Sequence, residues 1–283
     1  MKQKEIREGL VIPVFKKIIG FIKLVRPVNL VIIVISFLIG FLFMGNCTSL
    51  ILPLLYVLIA AMGYIINDIK DYNIDMVNKP ERPLPSNVIT KKEAKIFFFV
   101  ILVVFVFLNF KFKPVLLIFN DTVLILVVLY SIYFKRKGFI GNLLVAFFTV
   151  TPFISIIISL GFNSIIFPLI FFAFFINLLR EIVKDLDDFK GDKLIKSKSL
   201  PLKYGYKFTY NTLIILTCLF FASTLYFENN FGKNIYYLIF VIIIVNGLNC
   251  LSLFFTKKKE YNISSILYKI SILFGIGGLW LSK

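Results

Sequence analysis

Histidine is absent from all 283 residues, and cysteine occurs only three times. No triad with an imidazole base, no imidazole-ligated metal or haem and no histidine proton relay can be built from this chain. Cys47, Cys218 and Cys250 are scattered, odd in number and set in or beside apolar stretches, so neither a disulfide framework nor a zinc site is expected. Charge is scarce too, at 17% of residues, against about 25% in an ordinary soluble domain. Acid is the scarcer sign: 15 Asp and Glu stand against 32 Lys and Arg, for a net charge of +17.

Apolar residues fill the gap, making up 59% of the chain. A bilayer core takes about 20 of them per helix. Nine runs of that order follow one another: Leu24–Met44, Leu50–Ile66, Ala94–Phe110, Val115–Phe134, Phe139–Leu160, Ile165–Leu179, Thr209–Phe227, Ile235–Phe255 and Ile263–Trp280. A soluble fold with nine such runs would have no surface left for water. Barrel strands alternate apolar and polar residues, whereas Phe97–Leu108 is apolar at every position. Helices satisfy their own backbone hydrogen bonds in lipid, so the fold class expected is all-α, a polytopic membrane bundle of about nine helices in a single domain over 1–283. Residues 1–21 carry no signal-peptide pattern, and Lys16 and Lys17 break their apolar stretch, which suggests an interfacial amphipathic lead-in.

Most of the 32 basic residues fall before the first run and in each loop that follows an even-numbered run. The positive-inside rule then puts the N-terminus and those loops in the cytoplasm and the C-terminus outside, with the chain multi-pass in the cell membrane. The basic balance therefore reads as topology and headgroup attraction, and nucleic acid is not expected as a partner.

The acids are concentrated. Nine of the 15 lie in two windows, Asp68–Glu81 and Glu181–Asp192, each at the cytoplasmic end of an even-numbered run. Both contain Asp-x-x-Asp-x-x-x-Asp: positions 68, 71 and 75 recur at 185, 188 and 192, each 117 residues on. At about 100° per residue, Glu181, Asp185, Asp188 and Asp192 share an arc of roughly 60°, from which Asp187 points away. Asn67, Asp68, Asp71 and Asp75 share an arc of roughly 100°. Such rows repel themselves and call for a cation. Mg²⁺ fits best, since it takes hard oxygen ligands and bridges one or two carboxylates to substrate phosphates. Solvated acidic loops neutralised by nearby lysines are the plainer alternative, but they leave the repeated same-face spacing unexplained. Arg82, in the proline-stiffened run Pro80-Glu-Arg82-Pro83-Leu84-Pro85, and Lys135 and Arg136 at the end of the fourth run lie on the same side. They are candidates for the remaining diphosphate oxygens.

At these residues the sequence resembles the UbiA superfamily of intramembrane prenyltransferases. The first family motif stands here as Asn67, Asp68, Asp71 and Asp75, and the second as Asp185, Asp188 and Asp192. Arg82–Pro85, the stretch from Lys135 to Gly141-Asn142, and Arg26-Pro27 ahead of the first run also match. Within the superfamily, Arg180-Glu181-Ile-Val-Lys184-Asp185 and Pro80–Ser86 are most similar to the archaeal digeranylgeranylglyceryl phosphate synthases. Asn87, where Gly is frequent, and Ser199, where Thr is usual, depart from that pattern.

The resemblance implies helices around a central cavity, with motif loops at 67–93 and 180–205. It implies Mg²⁺-dependent transfer of a geranylgeranyl group from geranylgeranyl diphosphate to the second glycerol hydroxyl of geranylgeranylglyceryl phosphate. The metal ligands would be Asn67, Asp68, Asp71, Asp75, Asp185, Asp188 and Asp192, with Asp71, Asp75, Asp188 and Asp192 central to catalysis. Substrate would be bound by Asn67, Arg82, Lys135, Arg136, Tyr133, Asn142, Arg26 and Lys184. Arg26 and Lys23 are candidates for the acceptor phosphate. Tyr72, Tyr130 and Tyr133, of 34 Phe and 13 Tyr, are placed to face a carbocation-like centre. An aromatic, quinone-precursor, chlorin or haem acceptor remains an alternative within the superfamily, a cation or phosphate transporter one outside it, and an oligomer is possible.

Overall fold

The computed structural model describes residues 13–47, 49–162, 166–194, 198–228 and 234–282, and among them there are helices and no strands. Packing density divides the chain into two compact units, Met1–Ile35 with Ser49–Ile132, and Ser36–Thr48 with Tyr133–Lys283.

The first unit holds α1 (Val14–Leu24), the start of α2 (Pro27–Met44), α3 (Ile51–Lys70), α4 (Tyr72–Asn78), α5 (Lys91–Asn109) and α6 (Pro114–Ile132). Its centre is α3, which packs on α5 and α6. Leu52, Leu55, Tyr56, Ile59, Met62 and Ile65 recur at helical spacing and are buried. Helix α5 starts from a capping box: Thr90 Oγ1 accepts from the Glu93 N–H at 3.2 Å and the Glu93 carboxylate accepts from the Thr90 N–H at 2.9 Å. Further along α5, Phe99, Val103 and Phe107 are 61%, 69% and 69% exposed on one face, as suits a surface meeting lipid rather than water. The α5–α6 turn is tied by the buried Asn109, whose amide donates to Asp121 at 2.9 Å and accepts from Asn120 at 2.9 Å.

The second unit holds α7 (Phe139–Leu160), α8 (Ile166–Asp187), α9 (Phe189–Leu194), α10 (Leu200–Glu228), α11 (Tyr237–Lys257) and α12 (Tyr261–Leu281). Here α8 packs on α7, α10 and α12. The first nine residues of α11, Tyr237–Val245, are π-helical. Asn246 closes that stretch by donating to the carbonyls of Val241 and Ile242 and to Thr224 of α10. Ser252, Thr256 and Ser264 join α11 to α12 through buried hydroxyl contacts, a polar adhesive suited to helices in lipid, where apolar contact alone has little driving force.

All nine apolar runs form long helices, and among the described residues eight of these are long and apolar enough to cross a membrane by length and composition. Helix α5 is the exception, because its first five residues include Lys91, Lys92, Glu93 and Lys95. The sixth run is the largest correction. Instead of ending at Leu179, α8 continues to Asp187, because Ile182, Val183 and Leu186 remain buried on its inner side. Within the motif segments, 67–70, 72–78 and 91–93 are helical with a turn over 79–90, and 180–187, 189–194 and 200–205 are helical. The seventh run likewise starts early, at Leu200, with a kink at Gly205 (φ 82°).

Gly138, ahead of α7, has φ 65°, and a Cβ there would collide with the backbone carbonyl of Lys198. Only glycine fits both demands. Gly138→Ala is expected to destabilise the protein by about 1–3 kcal/mol, read as a lower melting temperature in detergent. A second expectation concerns pH. Lys17 Nζ lies 2.5 Å from Glu93, and with the Thr90 N–H it holds the Glu93 carboxyl down to about 2. A folded value below the unfolded one means stabilisation that is complete above the ordinary glutamate range and drains as pH falls towards 2. The melting difference between the natural protein and Glu93→Gln should hold steady from neutral pH to about 5 and close below about 4.

Candidate active site

The first motif occupies the last turn of α3 and all of α4. The helix breaks at Asp71, yet the register survives: the Asp71 N–H donates to the Asn67 carbonyl at 2.8 Å and the Asp75 N–H to the Asp71 carbonyl at 2.8 Å. Asn67, Asp71 and Asp75 therefore stay on neighbouring positions of one face. Asp68 and Asp75 are 4% and 5% exposed, and a carboxylate so desolvated needs a cation close by. Two arginines supply it. Arg26 Nη2 donates to Asp68 Oδ1 at 2.6 Å, and Arg82 Nη1 donates to Asp75 Oδ2 at 2.6 Å while lying 3.5 Å from Asp68 Oδ1.

Local structure aims both arginines. Arg26 stands between α1 and α2 at φ 54°, a left-handed conformation unusual for a side chain of its size. Its guanidinium lies over the ring of Tyr64, 4.9 Å from the centroid. Arg82 is carried by a closed turn in which the Ser86 N–H donates to the Arg82 carbonyl and the Ile89 N–H to the Pro83 carbonyl, with Leu84 and Ile89 buried beneath. Tyr64, four residues before Asp68 and inside an apolar run, gave no signal in the sequence beyond that spacing. Tyr72 is engaged by Lys91, whose Nζ sits 3.6 Å from its ring centroid. The Oδ1 of Asn67 is buried and accepts no hydrogen bond among the described residues.

The second motif repeats this design at the end of α8. Its break falls on Asp188, again with the register kept: the Asp188 N–H donates to Lys184 and the Asp192 N–H to Asp188, at 2.8 and 2.9 Å. Each copy thus breaks at its middle aspartate. Asp185 is half-buried and accepts from the buried Asn142 amide of α7 at 2.8 Å. The charges of Asp192 and Glu181 act on Asp185, whereas Asp187 acts on Tyr261 of α12 and is itself acted on by Asp188. Asp187 and Asp188 are both exposed. Glu181, which spacing placed on the acidic face, is a buried hub: it accepts from Lys184 Nζ at 2.9 Å and from Arg180 Nη1 at 3.2 Å. Lys184 is thereby turned towards Glu181. Tyr133 is 57% exposed with Lys137 over its ring, and Lys135 is exposed. The Arg136 side chain lies outside the described residues.

Among the described residues no three acidic or thiol side chains gather into a preformed metal cage. Two acids are held instead by guanidinium groups. The donor set still fits a hard cation: it offers carboxylate and amide oxygens, no imidazole or thiolate, and in Asn67 a buried acceptor that takes no hydrogen bond among the described residues.

A model of the UbiA prenyltransferase family matches residues 29–273. The chain belongs to that family. It is an all-α, multi-pass membrane protein. Digeranylgeranylglyceryl phosphate synthase of Methanococcus vannielii is 35% identical over 83% of this chain and 87% of its own. The enzyme of the same name from Saccharolobus solfataricus is 34% identical over 91% and 94%. A structure solved in work on digeranylgeranylglyceryl phosphate synthase in membranes superposes with a TM-score of 0.73 at 29% identity, covering 94% of this chain and 98% of that one. A UbiA homologue from Archaeoglobus fulgidus, bound to DMAPP and Mg²⁺, shares the fold with a TM-score of 0.66 at 18% identity, over 92% and 99%.

The Arg82 bridge gives a stability test. Arg82→Met strands Asp75 and should cost about 3 kcal/mol, the low end for breaking a buried pair because the guanidinium is 25% exposed. Adding Asp75→Asn should recover most of the lost melting temperature, since no stranded charge remains.

Proposed function

We propose that this protein transfers a geranylgeranyl group from geranylgeranyl diphosphate to the sn-2 hydroxyl of geranylgeranylglyceryl phosphate, making the digeranylgeranyl core of archaeal membrane lipids. The observation that carries the reading is the pair of aspartate motifs, both intact, in a chain 35% identical to relatives of that name over most of both lengths. The bias of basic residues supports a plasma-membrane location, the N-terminus in the cytoplasm and chemistry at the cytoplasmic face.

Asn67, Asp68, Asp71 and Asp75 in the first unit, and Asp185, Asp188 and Asp192 in the second, are each candidate ligands for Mg²⁺ that accompanies the donor diphosphate. When bound, the metal stabilises negative charge developing on the leaving diphosphate. Arg26 and Arg82 then serve a second purpose, because a guanidinium binds phosphate oxygens with the same fork that holds a carboxylate. Glu181 positions Lys184 and Arg180, and Asn142 orients Asp185. The apolar helices give both prenyl chains a lipid-like surrounding; the acceptor oxygen attacks the loosened allylic carbon as the carbon–oxygen bond to diphosphate breaks, and the hydroxyl proton passes to the departing diphosphate or to an aspartate of a row.

Purified protein supplied with labelled geranylgeranyl diphosphate and a panel of acceptors should give Mg²⁺-dependent product with geranylgeranylglyceryl phosphate. A preference for an aromatic or quinone-precursor acceptor would overturn the assignment within the family. Asp71→Ala and Asp188→Ala should each lose about a hundredfold or more in rate, with insertion and extraction unchanged. Asp187→Ala should stay active, and its failure alongside Asp188→Ala would remove the helical-face argument.

A further inference from the structure

Helix α1 has three distinct sides. Gly20, Leu24, Lys17 and Phe21 face the protein: Gly20 and Leu24 are buried, Lys17 pairs with Glu93, and the Phe21 ring meets Phe97 edge-on at 5.0 Å. Val14, Phe15, Ile18 and Ile22 form a second side, 75%, 73%, 51% and 50% exposed, and within an arc of about 100°. Lys16 and Lys23 lie together on a third and are exposed. Eleven residues make a helix about 16 Å long, too short to cross a bilayer. An apolar side edged by lysines, on a helix attached to a membrane protein, suits the boundary between acyl chains and anionic headgroups.

What distinguishes this helix is where it is fastened. A Cβ on Gly20 would lie 2.9 Å from Val88 Cγ1 and 3.1 Å from the Ile89 side chain, so α1 rests directly on the closed turn that carries Arg82. Two residues past Leu24 comes Arg26, with its left-handed backbone and its ion pair to Asp68. One short helix therefore touches the supports of both arginines.

We propose that α1 is an anchor seated on an anionic lipid surface, and that this seating positions Arg26 and Arg82 for catalysis. The apolar side enters the acyl boundary, Lys16 and Lys23 meet lipid phosphates, and Gly20 transmits the helix position to the Arg82 turn. This coupling presupposes the prenyl transfer proposed above.

The test uses the full chain in vesicles of phosphatidylcholine alone or with phosphatidylglycerol added. The natural protein should turn over about fivefold faster in the anionic vesicles, the scale of one basic residue at a charged surface, with KM for the donor unchanged. Lys16→Glu should lose that gain and keep the rate seen in neutral vesicles. Phe15→Trp in a Trp280→Phe background, which leaves one indole, should be quenched by lipid brominated near the headgroup. Gly20→Ala should lower kcat in both vesicles although alanine favours the helix itself, and adding Val88→Ala, which removes the nearest contact, should restore part of it.

Equal rates in the two vesicle types, an unquenched indole, or Gly20→Ala at the natural rate would each overturn the proposal. If the natural protein transfers no prenyl group in any vesicle, the transferase reading fails instead; a quenched indole would then still support the anchor.

Discussion

A carboxylate at the end of a membrane helix has lost much of its water and must be met by positive charge or a hydrogen-bond donor. This one electrostatic requirement shapes the first unit. Asp68 and Asp75 are nearly inaccessible, so Arg26 and Arg82 must reach them. The means of reaching account for features that are otherwise odd: a left-handed arginine before Pro27, a tyrosine ring under its guanidinium, and a proline-stiffened turn closed by backbone hydrogen bonds. Alone, each of these costs conformational freedom or strain. They persist because each helps satisfy a buried charge whose isolation would cost more.

Much of the fold was legible because the bilayer demands so little variety. Nine apolar runs became long helices since the backbone has no other way to satisfy itself in lipid. The errors are physical in origin. Hydropathy stopped the sixth helix at Leu179 because Arg180, Glu181, Lys184 and Asp185 follow it. The helix continues because Ile182, Val183 and Leu186 keep an apolar side towards the core, and charge counting does not see sidedness. The π-helical start of α11 had no signal, since it is closed by the Asn246 amide rather than set by local propensity.

The acidic rows were legible for a different reason: a chain that rations acid and then spaces it on one helical face has few structural motives for doing so. The spacing also survived the one feature it did not foresee, a helix break at the middle aspartate of each copy. Hydrogen bonds from Asp71 to Asn67 and from Asp188 to Lys184 carry the helical register across each break. The partners were less legible. Glu181 stood on the acidic face, but nothing in its spacing marked it as the acceptor for Arg180 and Lys184, because which basic residue turns to which acid is decided by three-dimensional proximity.

The two copies of the pattern are alike in sequence and unlike in company. Guanidinium groups hold the aspartates of the first; in the second an amide holds Asp185, beside a Glu181 paired with Lys184 and Arg180. A guanidinium serves carboxylate and phosphate oxygens with the same geometry, so Arg26 and Arg82 can neutralise buried acid and still meet a diphosphate without any change of chemistry. The neutral amide of Asn142 has no comparable second use for an anion's charge; what it contributes is the direction of the Asp185 carboxylate. Duplicated acidic spacing therefore does not imply duplicated function. The difference is set by the partners of each row: Arg26 and Arg82 for the first, Asn142 for Asp185 in the second.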